Sequence, residues 1–209
     1  MLKTAAPQAR KGPQTRAKIV AAALEVLKHE GFSGASARSI ATRGGFNQAL
    51  VFYHFGSVHN LLLAALNATS EQRMERYESA VAEAGSLAEM VAVAREIYRE
   101  DLESGHITVL SEMIAGSIND PELGPQVTAR MQPWIEFAER TIERTLDGTP
   151  LAGLLPVRDL AFAVVAFYIG IDLLTALDGD RTQAESLFAM AESFLPLIEA
   201  SLPGMSNGG

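Results

Sequence analysis

Residues 36–55, SARSIATRGGFNQALVFYHF, predict two short helices joined by a tight turn. Ser36 can cap the first helix with its hydroxyl. Gly44-Gly45 can supply the positive φ that a sharp turn requires, and Asn47 can cap a second helix over residues 48–55. Two such helices, the second with exposed hydrogen-bonding groups, are typical of a DNA-reading helix-turn-helix, although a helical hairpin inside a core has the same pattern.

The distribution of charge favours the DNA-binding interpretation. The chain has 209 residues and a net charge of −8. Residues 1–60 contain eight Lys or Arg against two Asp or Glu, a net charge of +6, and residues 61–209 carry −14. A basic segment that coincides with a predicted helix-turn-helix indicates contact with a polyanion.

Composition and motifs disfavour other classes of protein. There is no cysteine, which excludes disulfides and thiol chemistry. The four histidines lack metal-ligand spacing, and no catalytic or nucleotide-binding motif is present, so we expect no enzyme activity, no metal and no cofactor. The polar N-terminus lacks the apolar run of a secretory signal, and Gly170 and Asp172 interrupt the longest apolar run. We expect a cytoplasmic protein without a membrane partner.

A further helix is predicted before the motif, from Thr15 to Glu30, with Gly31 at its end. Combined with the motif, it resembles the N-terminal signature of the tetracycline-repressor (TetR) family over about residues 15–66. The matching positions are Gly31-Phe32, Ser36 to Ala41, Gly45-Phe46-Asn47, Phe52 to Phe55 and Ser57.

The resemblance implies an all-α fold with a three-helix DNA-binding domain at its N-terminus. We expect a flexible basic arm at residues 1–13 and the helix-turn-helix domain at 14–56. A helical ligand-binding and dimerisation domain is expected at 57–202, and a tail at 203–209.

The resemblance also implies which residues contact DNA. Gln48 would enter the major groove and could read adenine, while Tyr53 and His54 would hydrogen-bond phosphates. Arg38 would contact a phosphate or a guanine edge. Ser57 would cap the next helix, whose N-terminal amides can meet a phosphate. The predicted set is Arg38, Asn47, Gln48, Ala49, Leu50, Phe52, Tyr53, His54 and Ser57.

Several positions depart from the family pattern. Leu50 replaces a frequent threonine and could pack on a thymine methyl group instead of bonding a phosphate. Val58 replaces a common lysine, and Gly56 a common proline. Phe52 replaces a tyrosine, and its ring suits a core position better than a DNA contact. Fewer charged contacts predict a shallower salt dependence of DNA binding, which could be offset by Lys11, Arg16 and Lys18.

The last two helices are predicted to mediate dimerisation. The segment 156–177 is apolar on nearly all sides and therefore needs burial, for which a second copy is the natural solution. The resemblance implies a four-helix bundle with segment 181–202 in a two-fold dimer. Asp172 could hydrogen-bond across the dimer or face a polar ligand group, and its position at the expected seam favours the first. The predicted dimer residues are Phe167, Tyr168, Ile171, Leu174, Leu187 and Phe194.

The family typically holds a small-molecule inducer in a mostly apolar cavity between these helices. We expect Tyr98, Met113, Trp134 and Phe137 to line it, with solid core packing as the alternative. The predicted function is a homodimeric repressor, released from a palindromic operator in double-stranded DNA by an unidentified small molecule. The alternative is an activator, or a ligand-independent or sequence-independent DNA-binding protein, of the same fold.

Overall fold

The computed structural model describes residues 11–84, 86–148 and 151–201, which form nine α-helices and no strand. This confirms the all-α fold class. The predicted tail and residues 1–10 of the predicted arm lie outside the described residues. The helices are α1 (Lys11–Gly34), α2 (Ala37–Gly44), α3 (Ala49–Phe55), α4 (Val58–Glu83), α5 (Leu87–Ser104), α6 (His106–Ser117), α7 (Leu123–Leu146), α8 (Val157–Asp178) and α9 (Thr182–Ser201).

The first helix begins earlier than the sequence predicted. α1 begins at Lys11 rather than Thr15, so the end of the predicted flexible arm is helical. Pro13 fits there because the first N–H groups of a helix have no intrahelical acceptor. The predicted stop at Gly31 is a sharp kink, with φ 70° and ψ −178°, after which one more turn reaches Gly34.

The chain divides into two compact units. Of the described residues, the first unit contains those up to Ser70 together with Thr108–Val127, and the second contains those of Glu71–Ile107 and those from Thr128 onward. This grouping places residues 108–127 in the same unit as the helix-turn-helix. The boundary predicted at residue 56 separates a DNA-binding domain from a ligand-binding and dimerisation domain, and it stays a prediction.

The first unit has an aliphatic core to which each of its helices contributes. α2 packs on α1, and the inward faces of both helices consist of buried aliphatic side chains. Val51 and Phe55 of α3, four residues apart and therefore on one face of the helix, are buried. The buried side chains of this unit include Ile19, Ala23, Val26, Leu27, Ile40, Leu61, Leu62, Leu66, Val109, Met113 and Leu123.

The second unit combines apolar packing with buried polar groups. α5 packs against α9, where Arg95 and Arg99 both pair with Glu185 at 2.5–2.9 Å. These guanidinium groups hold the pKa of Glu185 below its usual range. α7 continues through Pro133 as one helix. The buried polar side chains of this unit are Asp101, His106, Asp172 and Thr175.

Candidate functional site

The turn between α2 and α3 has the geometry that the sequence predicted. Ser36 caps α2 by accepting a hydrogen bond from the Ser39 backbone N–H, and the Ser39 hydroxyl bonds back to Ser36. Gly45 ends α2 in the left-handed region at φ 64°. Asn47 Oδ1 accepts from the Ala49 N–H at 2.9 Å, so it caps α3 although the helix itself begins at Ala49. Local capping chemistry therefore fixes this turn.

One side of α3 is open to solvent. Gln48, Ala49, Phe52 and Tyr53, here called the α3 surface, are all exposed, and Tyr53 is 82% exposed. The interpretation of Phe52 as a core residue was wrong, since its side chain is 52% exposed. Val51 and Phe55 already occupy the inward positions of this short helix, which leaves Phe52 on the outer side.

The remaining predicted contact residues lie next to the α3 surface. Leu50, His54 and Ser57 are half-buried, whereas Arg38 on α2 and Asn47 in the turn are exposed. The His54 ring lies edge-on to the Tyr53 ring, with centroids 4.9 Å apart. Apart from Arg38 on α2, the predicted polar side chains thus lie on α3 or in its two flanking turns.

Arg16 plays a role that sequence reasoning missed. Its Nη1 donates to the His54 backbone oxygen at 2.7 Å, and its guanidinium lies 4.1 Å from the centroid of the Phe55 ring. Arg16 therefore supports the C-terminal end of α3 from α1, where a cation is favoured by the helix dipole. The two residues are 38 positions apart, so no local pattern could reveal the contact.

The junction between α3 and α4 is also fixed by side chains. Ser57 Oγ accepts from the Asn60 N–H at 3.0 Å, which confirms the predicted cap of α4. Asn60 Nδ2 donates to the Phe55 backbone oxygen at 3.0 Å. The first amides of α4 are therefore held at the end of α3, where they can meet an anion.

Within the first unit, α6 contacts the kink of α1. Glu112 Oε2 accepts from the Phe32 N–H at 2.8 Å, an N–H that the kink removes from the helical pattern. The Phe32 ring packs against Gly116 and stacks on His59, with ring centroids 6.3 Å apart. Glu112 thus stabilises the connection that leads into α2.

A buried carboxylate organises polar side chains in the second unit. Asp101 accepts from Arg73 Nε at 2.6 Å, and Arg73 Nη2 also pairs with it. The Tyr77 and Tyr168 hydroxyls donate to its two oxygens. Burial raises the pKa of both tyrosines, so both hydroxyls remain donors at neutral pH. These four residues are here called the Asp101 cluster.

Asp172 lies one helical turn beyond Tyr168 and is only 2% exposed. Neither of its oxygens has a hydrogen-bonding partner among the described residues. Burial raises its pKa to about 8, although the charge of Arg73 acts in the opposite direction. Because Asp172 is enclosed within its own unit, the expectation that it faces a dimer seam does not agree with its position.

The four residues predicted to line a ligand cavity do not share one unit. Met113 is buried in the first unit, and Tyr98 is buried in the second, where its hydroxyl bonds Thr175 Oγ1 at 2.9 Å. Trp134 and Phe137 are half-buried in the second unit. The lining of a cavity by these four residues stays a prediction.

Apolar side chains are exposed along α8 and α9. Among the predicted dimer residues, Phe167, Leu174 and Phe194 are exposed by 51–66%, while Ile171 and Leu187 are half-buried. Tyr168 directs its hydroxyl inward to Asp101. By length and composition alone, Val157–Leu177 could also cross a membrane, and only 17% of this segment is buried. Further exposed apolar side chains on these helices are Leu160, Phe162, Val164, Leu173, Leu177 and Met190.

Comparison with known proteins identifies the first unit most clearly. Residues 19–65 match the family model described as bacterial regulatory proteins, tetR family. The chain is 27% identical over 141 residues to the HTH-type transcriptional regulator CymR of Pseudomonas putida. This match covers 66% of the chain and spans only 62% of the relative's length.

Solved structures with the same fold cover most of the chain. A TetR-family transcriptional regulator from Cytophaga hutchinsonii aligns with a TM-score of 0.75 at 16% identity, over 89% of this chain and 95% of its own. A TetR transcriptional regulator from Chloroflexus aurantiacus aligns with a TM-score of 0.73 at 21% identity, over 90% of this chain and 96% of its own. The regulator FadR from Bacillus subtilis, solved in complex with stearoyl-CoA, aligns with a TM-score of 0.67 at 15% identity. This alignment covers 86% of the present chain and 96% of FadR. At these identities the similarity concerns the fold.

Proposed function

Since this chain belongs to the TetR family of bacterial regulatory proteins and has its DNA-binding domain, we propose that it is a homodimeric repressor. In this proposal it binds a palindromic operator and is released when a small molecule binds its second unit. The observation that supports it most directly is the α3 surface, which is exposed on a helix anchored by buried Val51 and Phe55. Such a function requires no catalytic step, and it calls for a protein that meets its DNA in the cytoplasm.

The α3 surface supplies the chemistry for base recognition. Gln48 can bond an adenine edge in the major groove, and Ala49 and Leu50 can pack on thymine methyl groups. The exposed ring of Phe52 adds apolar contact area but no hydrogen bond. Sequence preference would therefore depend on Gln48 and on apolar contacts more than on charge.

Phosphate contacts would come from the residues around α3. Tyr53 and His54 can donate to phosphates at one end, and the exposed Arg38 can approach the backbone from α2. The first amides of α4, behind the cap of Ser57, offer a further anion contact. These groups would fix the orientation of α3 in the groove.

The occupant that we propose for the apolar face of α8 and α9 is a second copy of this chain. A two-fold axis brings the same patch from each copy together, so an apolar face covers itself. Several aromatic and leucine side chains are exposed there in one chain, and an extended exposed apolar patch is typical of an interaction surface. Two copies would place two α3 surfaces on one two-fold symmetric site.

Release by an effector would be a shift between two populations. A small molecule that binds better to the conformation with lower DNA affinity must, by linkage, weaken DNA binding by the same factor. The second unit, with its buried polar groups and half-buried Trp134, is the proposed place for this ligand.

DNA footprinting followed by fluorescence anisotropy would test the proposal, with the DNA that flanks this protein's own gene as probe. A dimeric repressor should protect a short two-fold symmetric site. Gln48→Ala should then weaken specific binding by about 1–3 kcal/mol, roughly 5- to 150-fold. Gln132→Ala, the same substitution on α7, serves as the control and should leave affinity unchanged.

Two results would contradict the proposal. Equal affinity for the protected site and for random DNA of the same length would indicate sequence-independent binding. Unchanged affinity of the Gln48→Ala variant for its site would mean that α3 is not the element that reads bases.

A further inference from the structure

The buried polar side chains of α8 share one face of the helix. Tyr168, Asp172 and Thr175 are three or four residues apart, a spacing that aligns side chains on one side. Tyr168 donates to Asp101, and Thr175 bonds Tyr98, and both partners belong to α5. Asp172 therefore lies between two side-chain hydrogen bonds that join α8 to α5.

The two carboxylates of this region are in opposite situations. Asp101 is bonded by one arginine and two tyrosines, so its charge is compensated. Asp172 is equally buried and has no hydrogen-bonding partner among the described residues. A buried carboxylate without a partner is costly, and it must either keep its proton or bind a positively charged group.

The arginine that acts on Asp172 is already engaged with Asp101. Arg73 directs Nε and Nη2 to Asp101 and lies 5.2 Å from the centroid of the Trp134 ring. Arg95 and Arg99 on α5 pair with Glu185 of α9. Arg73 on α4 acts electrostatically on Asp172, and Asp172 in turn acts on Tyr98 of α5 and Tyr168 of α8. Arg181 and Glu185 also act on Tyr98, and Asp101 accepts from Tyr168.

A partner subunit does not explain this carboxylate. Asp172 is buried within one chain, whereas its neighbours Leu173 and Leu174 are the exposed residues on that part of α8. A group on a second copy could reach it only if α8 moved. The partner that we consider is therefore a small molecule that binds inside the second unit.

We propose that Asp172 is the recognition group for a positively charged, amine-type effector with an apolar body. This inference rests on the proposed function, because it specifies the class of small molecule to which the regulator responds. An ammonium group can donate directly to the free carboxylate oxygens, and the nearby tyrosine rings suit a cation. An anionic effector would oppose ionisation of Asp172 and should be disfavoured once the pH reaches about 8, where the carboxyl group loses its proton.

Proton release should accompany binding at this site. The pKa of free Asp172 is raised to about 8, so the carboxyl group carries a proton at neutral pH. A bound ammonium favours the carboxylate, and the proton leaves to solvent. The apparent affinity for an amine should therefore rise about tenfold per pH unit up to about pH 8. It should then stay level until the amine itself loses its proton, near pH 10 for a simple alkylamine.

The test uses phenylalkylamines from benzylamine to phenylbutylamine, with the alcohol and the carboxylate of each body as matched probes. Trp134 is the only tryptophan and lies in contact with Arg73, so its fluorescence reports binding in the absence of DNA. At pH 8 the best amine should bind at least about tenfold more tightly than its alcohol, a difference of about 1.4 kcal/mol. The carboxylate should bind most weakly.

Two variants separate the site from general charge effects. Asp172→Asn keeps the size of the side chain and removes its charge, and it should abolish both the preference for the amine and the pH dependence. Asp159→Asn removes the same charge from an exposed position on the same helix and should preserve both. Circular dichroism checks that each variant is folded. The pH dependence of amine binding is measured on the unmodified protein, so this test does not require a folded variant.

The inference is overturned if no amine binds at millimolar concentration, if amine and alcohol bind equally, or if affinity does not rise with pH. An amine preference that persists in Asp172→Asn would also overturn it. Failure of the proposed function has a different signature. Amine binding that depends on Asp172 but leaves operator affinity unchanged would support Asp172 as the recognition group for amines and refute release from DNA by such a molecule.

Discussion

The kink at Gly31 is a sensitive point of the first unit, and we expect Gly31→Ala to destabilise it strongly. The backbone there, at φ 70° and ψ −178°, lies in a region essentially reserved for glycine. An alanine Cβ would lie 2.8 Å from Glu112 Oε2, the atom that accepts from the Phe32 N–H. The substitution would therefore have two effects: it would strain the backbone at residue 31, and it would displace the Glu112 carboxylate from the Phe32 N–H.

The expected cost follows from these two contributions. The backbone conformation accounts for about 1–3 kcal/mol. A hydrogen bond to a charged group contributes about 1.5–3 kcal/mol, which we reduce to about 1 because Glu112 is half-exposed. The free energy of unfolding should thus fall by about 2–4 kcal/mol, and Tm by roughly 2–4 °C for each kcal/mol.

Urea denaturation of Gly31→Ala, Glu112→Ala and the double variant would measure both contributions. Far-UV circular dichroism reports all helices, whereas Trp134 fluorescence reports the second unit, so a separate transition of the first unit would be visible. The two substitutions disturb the same hydrogen bond. Their combined cost should therefore be about 1 kcal/mol less than the sum of the single costs.

Glu112→Gln, which retains an acceptor oxygen for the Phe32 N–H, is the control and should cost less than Glu112→Ala. Additive costs in the double variant would show that the alanine does not act through Glu112. A cost below 1 kcal/mol for Gly31→Ala would refute the argument that this position requires glycine.

Two further predictions concern α8. The pKa of Asp172 is raised to about 8 in the folded protein from about 4 when unfolded, so the free energy of unfolding should fall as pH rises between these values, by up to about 1.4 kcal/mol per unit. Asp172→Asn should remove this slope in urea titrations, and an unchanged slope would contradict the assignment. Leu174→Glu would bury a charge at the proposed dimer seam, a cost of about 3–5 kcal/mol, and should give monomers in light scattering. Leu154→Glu, at an equally exposed leucine between α7 and α8, should remain dimeric.

Features set by neighbouring residues could be predicted from the sequence. The caps at Ser36, Asn47 and Ser57 and the left-handed Gly45 each depend on atoms within a few positions, so residue type is sufficient. The start of α1 was placed too late because Pro13 was taken as part of a disordered arm. A proline in the first turn is compatible with a helix, and composition alone does not distinguish the two cases.

Contacts between distant residues could not be predicted in this way. Arg16 and His54 are 38 positions apart, and Phe32 and Glu112 are 80 apart, so neither pair leaves a periodic signal. Phe52 illustrates a different limit. A large apolar residue on a short helix suggests a core position, but Val51 and Phe55 already fill the inward face.

The two buried aspartates show why a residue's environment, and not its type, carries the functional information. In the sequence Asp172 is conspicuous because it interrupts an apolar helix, whereas Asp101 lies among polar residues of α5 and attracts no attention. In the structure both are buried, and only Asp101 has its donors. A carboxylate that served stability alone would be expected to have partners like those of Asp101. The cost of burying Asp172 without them is most simply explained if its partner is a molecule that comes and goes.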